Sequence, residues 1–229
     1  MLNFSIPPEV LAPFVPRGTV LDAFEGITYV SMVGFLFLDT RVRGLAIPWH
    51  RDFEEVNLRF YVRREAEEGW RRGVVFVKEI VPRWAIAKVA RWVYNEHYVA
   101  LPMRHKVERA ATVHSAEYAW RFGGRWCRLA VRAEGEGRLV EAGSLDEFIT
   151  EHYWGYAVQR DGGALEYKVE HPKWRVWRAK EAVFECDVAG LYGAGFAEAL
   201  MTQPASAFLA EGSAVTVYGG RRIRDLRKG

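Results

Sequence analysis

Cysteine is scarce in this chain. Cys127 and Cys186 are its only two, far apart and without a CxxC spacing. That count argues against a disulfide framework and against a Cys-rich zinc site. Both sit in apolar, strand-like surroundings, where a free thiol behaves as a small hydrophobe, and a reducing cytoplasm is the expected compartment. The six histidines form no HxH or HExxH pair, so no metal site is expected. A GxSxG elbow, a GxGxxG after a strand and a Walker loop are all missing, and the glycine run at 190–195 has no βαβ context. Nucleophile-elbow hydrolysis and nucleotide binding therefore have no support, and no cofactor is expected. Long apolar runs are also missing. The longest, 27–38, contains Ser31 and is too short for a membrane span. The opening MLNFSIPPEV lacks a basic segment followed by an apolar one, so no signal peptide is expected. The net charge is only +3. Neither nucleic acid nor a membrane is expected as a partner, and the basic stretch 221–229 reads as a solvated end.

Aromatics are abundant, with 13 Phe, 10 Tyr and 9 Trp among 229 residues. Such residues favour strands and fill a thick core. Apolar runs at 28–38 and 73–81 read as strands. Gly123-Gly124 between the stretches 106–122 and 125–133 marks a hairpin turn. Further strands are expected on both sides of Asp161-Gly162-Gly163, over 174–185 and over 214–218. A helix is expected after Pro82, with Trp84, Ala85, Val89, Trp92 and Val93 on one face. Ser144-x-x-Glu147 is a capping box for a second, short helix, and 187–201 is a weak helix interrupted by glycines. The proline-rich residues 1–26 read as an irregular entry segment with one helical turn. The chain reads as one domain over 1–229, α+β but mostly β.

One stretch carries chemistry. In FEEVNLRFYV (53–62), Val56, Leu58, Phe60 and Val62 fall on one face of a strand, and Glu55, Asn57, Arg59 and Tyr61 on the other. The polar face is either ordinary solvent-facing surface or the lining of a polar cavity. Its acid, amide, guanidinium and phenol are mutually complementary, as buried polar clusters require. Lys78 and Lys106 are two further candidates, because a desolvated lysine, or one beside another cation, becomes nucleophilic. Both also fit as ordinary lysines with an apolar stem.

The segments LDAFEGITYVSMVGF (21–35), FEEVNLRFYV, GVVFV (73–77), VARWVYNEHYVALPM (89–103), SLDEFITEHYWGYA (144–157) and HPKW (171–174) together resemble the YqjF-like family of uncharacterised bacterial proteins. That family is similar in fold to acetoacetate decarboxylase. The resemblance implies a closed or cone-like antiparallel β-barrel with a few outer helices, a central cavity and a homo-oligomer, in the simplest form a homodimer. It implies that the polar face of 53–62 points inward. It also implies a Schiff-base lysine directly after Leu101-Pro102, where this chain has Met103, followed by Arg104. Methionine has no amine, so the decarboxylase nucleophile is missing from its expected place. His152 stands where the resemblance implies arginine, with Tyr153 and Tyr156 retained.

Three readings stand at this point. The first is a cavity that binds a small organic acid through Glu55, Asn57, Arg59 and Tyr61, with Met103, Arg104 and Tyr153 beside them. In it, Glu55 and Arg59 are the candidates for acid–base work. The second is a non-catalytic structural or sensing barrel. The third is a Schiff-base lyase with a displaced lysine, Lys78 or Lys106.

Overall fold

Period-two alternation of apolar side chains specifies long strands, and long strands dominate the computed structural model, which describes residues 1–42, 45–46, 52–82, 97–110 and 112–223. The strands are β1 (Leu2–Ser5), β2 (Val20–Leu21), β3 (Tyr29–Phe37), β4 (Arg41–Val42), β5 (Leu45–Ala46), β6 (Phe53–Ala66), β7 (Gly69–Val81), β8 (Tyr98–Ala100) and β9 (Met103–Arg109). They continue with β10 (Val113–Phe122), β11 (Arg125–Glu134), β12 (Arg138–Leu139), β13 (Trp154–Val158), β14 (Ala164–Glu170), β15 (Arg175–Glu185), β16 (Ser206–Ala210), β17 (Thr216–Val217) and β18 (Arg221–Arg222). The helices are short: α1 (Pro8–Leu11), α2 (Leu145–Thr150), α3 (Val188–Tyr192) and α4 (Ala194–Leu200). None of them is long and apolar enough to cross a membrane. The helix expected over 84–93 lies outside the described residues.

Nearly all the strands join one sheet, whose path runs β17-β14-β13-β7-β6-β3-β1-β16-β15-β11-β10-β9. The architecture is mostly β with a few helices, as expected, but two details differ. Among the described residues the path has two ends, β17 and β9, and does not return on itself, so the expected closed ladder is not formed. The end strand β9 instead meets β6 through side chains, with His105 Nδ1 3.4 Å from Glu54 Oε2. The pairing is also not purely antiparallel, since β7 pairs in parallel with both β8 and β13.

Local chemistry accounts for the boundaries. Gly123 and Gly124 take φ of 55° and 80°, which a two-residue hairpin turn needs, and β10 and β11 pair in register from Phe122 and Arg125 outward. The stretch read as one strand over 106–122 is itself a hairpin, β9 and β10, closed by Ala110 N donating to Val113 O at 2.9 Å. At α2 the Ser144 hydroxyl accepts from Glu147 N at 3.2 Å, while the Glu147 carboxylate accepts from Gly143 N at 2.8 Å. Two orphan donors are thereby satisfied, one residue earlier than the standard box would place the second.

Both faces of β6 are covered. Val56, Leu58, Phe60 and Val62 enter the main core with Leu2, Phe4, Val30, Met32 and Trp120. Tyr61, on the opposite face, packs with Tyr29, Val33, Val74 and the α2 residues Phe148 and Ile149. Phe53 joins Val81 and Tyr98 in a third, smaller cluster. Alternation along 53–62 therefore separates two buried environments, one apolar and one mixed, and not core from water.

Candidate functional site: the polar face of β6

The flanking strands fix what β6 faces. In the ladders, Ser31 of β3 stands opposite Arg59 and Val33 opposite Asn57. On the other side Glu79 of β7 stands opposite Asn57 and Phe76 opposite Arg59. Between those pairs the register shifts by one residue. This bulge leaves Val77 as the extra residue and sets Lys78 opposite Leu58, on the main-core side of the sheet.

Glu55, Asn57 and Tyr61 are 2%, 2% and 1% exposed, and Arg59 is half-buried. Asn57 Nδ2 donates to Glu55 Oε1 at 3.0 Å, and the Tyr98 hydroxyl donates to Glu55 Oε2 at 3.4 Å. The first bond settles the orientation of the Asn57 amide, whose carbonyl oxygen Oδ1 is buried and unpartnered. Arg59 Nη2 donates to the Ile149 carbonyl at 3.3 Å, and its guanidinium carbon lies 5.8 Å from the Tyr61 ring centroid. Arg59 Nε is buried without a partner. The Tyr61 hydroxyl shares a 2.5 Å hydrogen bond with Ser31 Oγ, which donates to Asn3 Oδ1 at 2.6 Å. Asn3 Nδ2 then donates to Ser206 Oγ at 2.8 Å. Tyr61 is thus tied into a polar chain running across β3, β1 and β16.

At the Tyr61 end lies a second buried group. The His152 imidazole packs on Tyr61, with ring centroids 4.6 Å apart, and edge-on to Phe148 at 5.4 Å. Its Nε2 is 3.8 Å from Asp22 Oδ2, an electrostatic contact too long for a hydrogen bond. Burial lowers the His152 pKa to about 4, against the opposing pull of Asp22. Burial works against the Asp22 charge as well, but His152 and Arg72 hold its pKa below the ordinary value, with Arg72 Nε 2.6 Å away.

The other expected site residues lie elsewhere. Met103 stands opposite Trp120 and packs against the main core, on the far side of β6 from Glu55. Arg104 stacks over Trp126 at 4.4 Å on the outer surface. Tyr153 hydrogen-bonds Glu151 and stacks on His171 at 5.0 Å. The seven residues therefore separate into one group of four on the polar face of β6, three of them buried and Arg59 half-buried, and three single positions. Of the two lysines, Lys106 is exposed and paired with Glu108 at 2.7 Å, which raises its pKa. Lys78 is half-buried, donates to the Leu191 carbonyl and lies 5.8 Å from the Tyr192 ring, and burial lowers its pKa. The main-core side also holds a polar group that sequence reasoning missed. Glu54 and His105 meet beside Tyr118, whose pKa is raised to about 12 by burial and then by Glu54. An acid on the otherwise apolar even-numbered side of 53–62 was the available signal.

This arrangement sits on a recognisable fold. The chain aligns with structures of the enduracididine biosynthesis enzyme MppR at a TM-score of 0.65 for the form with HEPES buffer bound, covering 98% of this chain and 85% of that one at 14% identity. For MppR complexed with pyruvate the TM-score is 0.64, with 98% and 87% covered, again at 14% identity. It also aligns with acetoacetate decarboxylase from Legionella pneumophila, at a TM-score of 0.59 and 11% identity over 98% and 84% of the two chains. In sequence it is 24% identical over 193 residues to the uncharacterized protein YqjF of Bacillus subtilis, covering 83% of this chain and 77% of that protein. The match to the uncharacterized conserved protein family DUF2071 spans residues 1–214, and the chain belongs to that family, with an acetoacetate decarboxylase-like fold.

Proposed function

We propose that this protein binds a small organic acid on the polar face of β6, with Arg59 and Asn57 as the recognising groups. The observation that carries the reading is the pair of buried, unpartnered atoms on neighbouring positions of one strand face, Arg59 Nε as donor and Asn57 Oδ1 as acceptor. Leaving such groups unsatisfied costs about 1–3 kcal/mol each, and a bound molecule that pairs with both removes that cost. Positions i and i+2 of a strand are roughly 7 Å apart. A molecule of a few carbons spans that gap, with a carboxylate at the guanidinium and a hydroxyl or N–H at the amide. Glu55 serves by holding the amide, and Tyr61 by lying against the guanidinium; its hydroxyl is already bonded to Ser31. The fold likeness to an enzyme complexed with pyruvate supports a ligand of this size and charge.

The test is a thermal-shift and calorimetric screen of pyruvate, acetoacetate, lactate and related short carboxylates against the wild type, Arg59→Lys and Asn57→Leu. A carboxylate that binds the wild type at least tenfold more tightly than either folded variant supports the reading. Equal binding by all three, or no binding at millimolar concentration, removes it.

A second reading rests on Lys78, the half-buried amine on the other side of the sheet, whose pKa burial lowers. Its nitrogen would attack a ketone or keto-acid carbonyl carbon, forming a C–N bond and expelling the oxygen as water to leave an imine. Borohydride reduction with the same keto acids decides it. A mass increment on Lys78 supports this reading, and an unmodified lysine across the panel ends it.

A further inference from the structure

The two cysteines, far apart in sequence, are brought together by the β11–β15 ladder. Its last formal pair is Arg128 with Glu185, so one step further along the same antiparallel register Cys127 faces Cys186. Opposed residues of an antiparallel pair have Cα atoms about 4.5–5.5 Å apart, inside the range of about 4.4–6.8 Å that a disulfide spans. The side chains of such a pair point to the same face, and both cysteines belong to the main core, Cys127 within it and Cys186 packed against it. Both are free thiols here, Cys127 buried and Cys186 partly exposed.

We propose that Cys127 and Cys186 are a redox-modification site that closes to an intramolecular disulfide on exposure to a peroxide. Cys186 is the sulfur a small oxidant meets first, since Cys127 is buried and Cys186 is partly exposed. The Cys186 thiolate attacks one peroxide oxygen. The S–O bond forms, the O–O bond breaks, and the departing hydroxide takes a proton to become water. The Cys127 thiol then attacks the resulting sulfenic acid. The S–S bond forms, the S–O bond breaks, and the leaving hydroxide takes the Cys127 proton as a second water. One peroxide is reduced and the two sulfurs are oxidised together by two electrons.

Burial and the neighbouring sulfur push the Cys186 thiol pKa up, so the thiolate fraction is small and the reaction is slow. The pair therefore responds to sustained oxidation and does not turn over peroxide. Its structural effect falls on α3. Cys186 precedes Asp187, whose carboxylate caps that helix by accepting from Gly190 N at 3.0 Å, and the helix carries the Leu191 carbonyl that holds Lys78. A cross-link fixes the start of α3 to β11 and encloses the loop of chain between the two sulfurs, restricting the unfolded state.

The experiment uses the wild-type protein treated with millimolar hydrogen peroxide, then denatured and alkylated. The expected product is a monomer 2 Da lighter with no alkylatable thiol and a Cys127–Cys186 peptide in the digest. Its Tm should be raised by about 10 °C, and a dithiol should reverse the change. Cys127→Ser and Cys186→Ser should each lose the Tm response. Retention of both thiols after prolonged exposure, oxygen additions without a cross-link, or only intermolecular disulfides would each overturn the proposal.

Discussion

Replacing His152 with phenylalanine should make the protein markedly less sensitive to mild acid. The imidazole is buried against Tyr61 and Phe148, and neither of its nitrogens makes a hydrogen bond. Burial is the main cause of the drop in its pKa from 6.5 to about 4, and the positive charges of Arg72 and Arg59 add to it. The unfolded chain takes up a proton near pH 6.5, whereas the folded chain resists it until about pH 4. The unfolded state thus binds more protons between those limits, and folding stability falls as the pH drops through them. At about 1.36 kcal/mol per pH unit the full loss is about 3 kcal/mol, of which about 2 kcal/mol is gone by pH 5. Asp22 belongs to a lower window. Its folded pKa is depressed, so its contribution persists until the pH falls below the ordinary carboxylate range. Phenylalanine preserves the ring contacts and cannot titrate. Urea unfolding at about pH 7 and pH 5 should therefore show the wild type losing about 2 kcal/mol more than His152→Phe. Equal losses in the two proteins would refute the argument that the buried imidazole stays neutral.

Two further substitutions probe the frame around the site. Glu166 is fully buried and accepts from Arg64 at 3.0 Å, Arg71 at 2.6 Å, Arg221 at 3.0 Å and the Tyr156 hydroxyl at 3.1 Å. Glu166→Gln leaves those guanidinium groups short of a counter-charge and should cost about 3 kcal/mol, lowering Tm by about 6–12 °C in a calorimetric scan; a shift under 2 °C would show that the charge is dispensable. A Cβ at Gly34 would come within 2.4 Å of the Tyr118 ring, which is held in the main core. Gly34→Ala should therefore destabilise by about 1–3 kcal/mol in denaturant titration, and an unchanged midpoint would mean that the ring moves aside freely.

Much of the fold was legible because local chemistry and tertiary structure agree. The alternation in 53–62, the Gly123-Gly124 turn and the Ser144 cap each specify their element without reference to distant residues. What was not legible depended on distant chain. Whether the polar side of β6 meets water is decided by α2, whose Ile149 carbonyl receives Arg59 from 90 residues further along. The break between β9 and β10 carries Ala110 and Thr112 where a glycine or proline would have marked a turn. The short strands β1 and β16 were hidden by nearby prolines and by their own brevity. Lys78 changes sides through a bulge that no residue in 73–81 announces. Grouping Met103, Arg104 and Tyr153 with Arg59 followed from an expected cavity, whereas β9 carries the first two to the main core and the outer surface, and Tyr153 lies in the connection before β13, stacked on His171.

The position of β1 has a consequence for how the protein is made. Leu2 pairs with Met32 on one side and with Ala207 on the other, so an interior strand of the sheet joins the first and last parts of the path. At roughly 5–20 residues per second, a ribosome takes about 9–35 s to travel from the first of these partners to the second. Throughout that interval β3, β6 and β7 can assemble on one side of β1 while its other edge stays unpaired, a surface prone to join the same edge on a neighbouring nascent chain. Yield in the cell should therefore depend on holding that edge in isolation until the strand at 206–210 has left the exit tunnel.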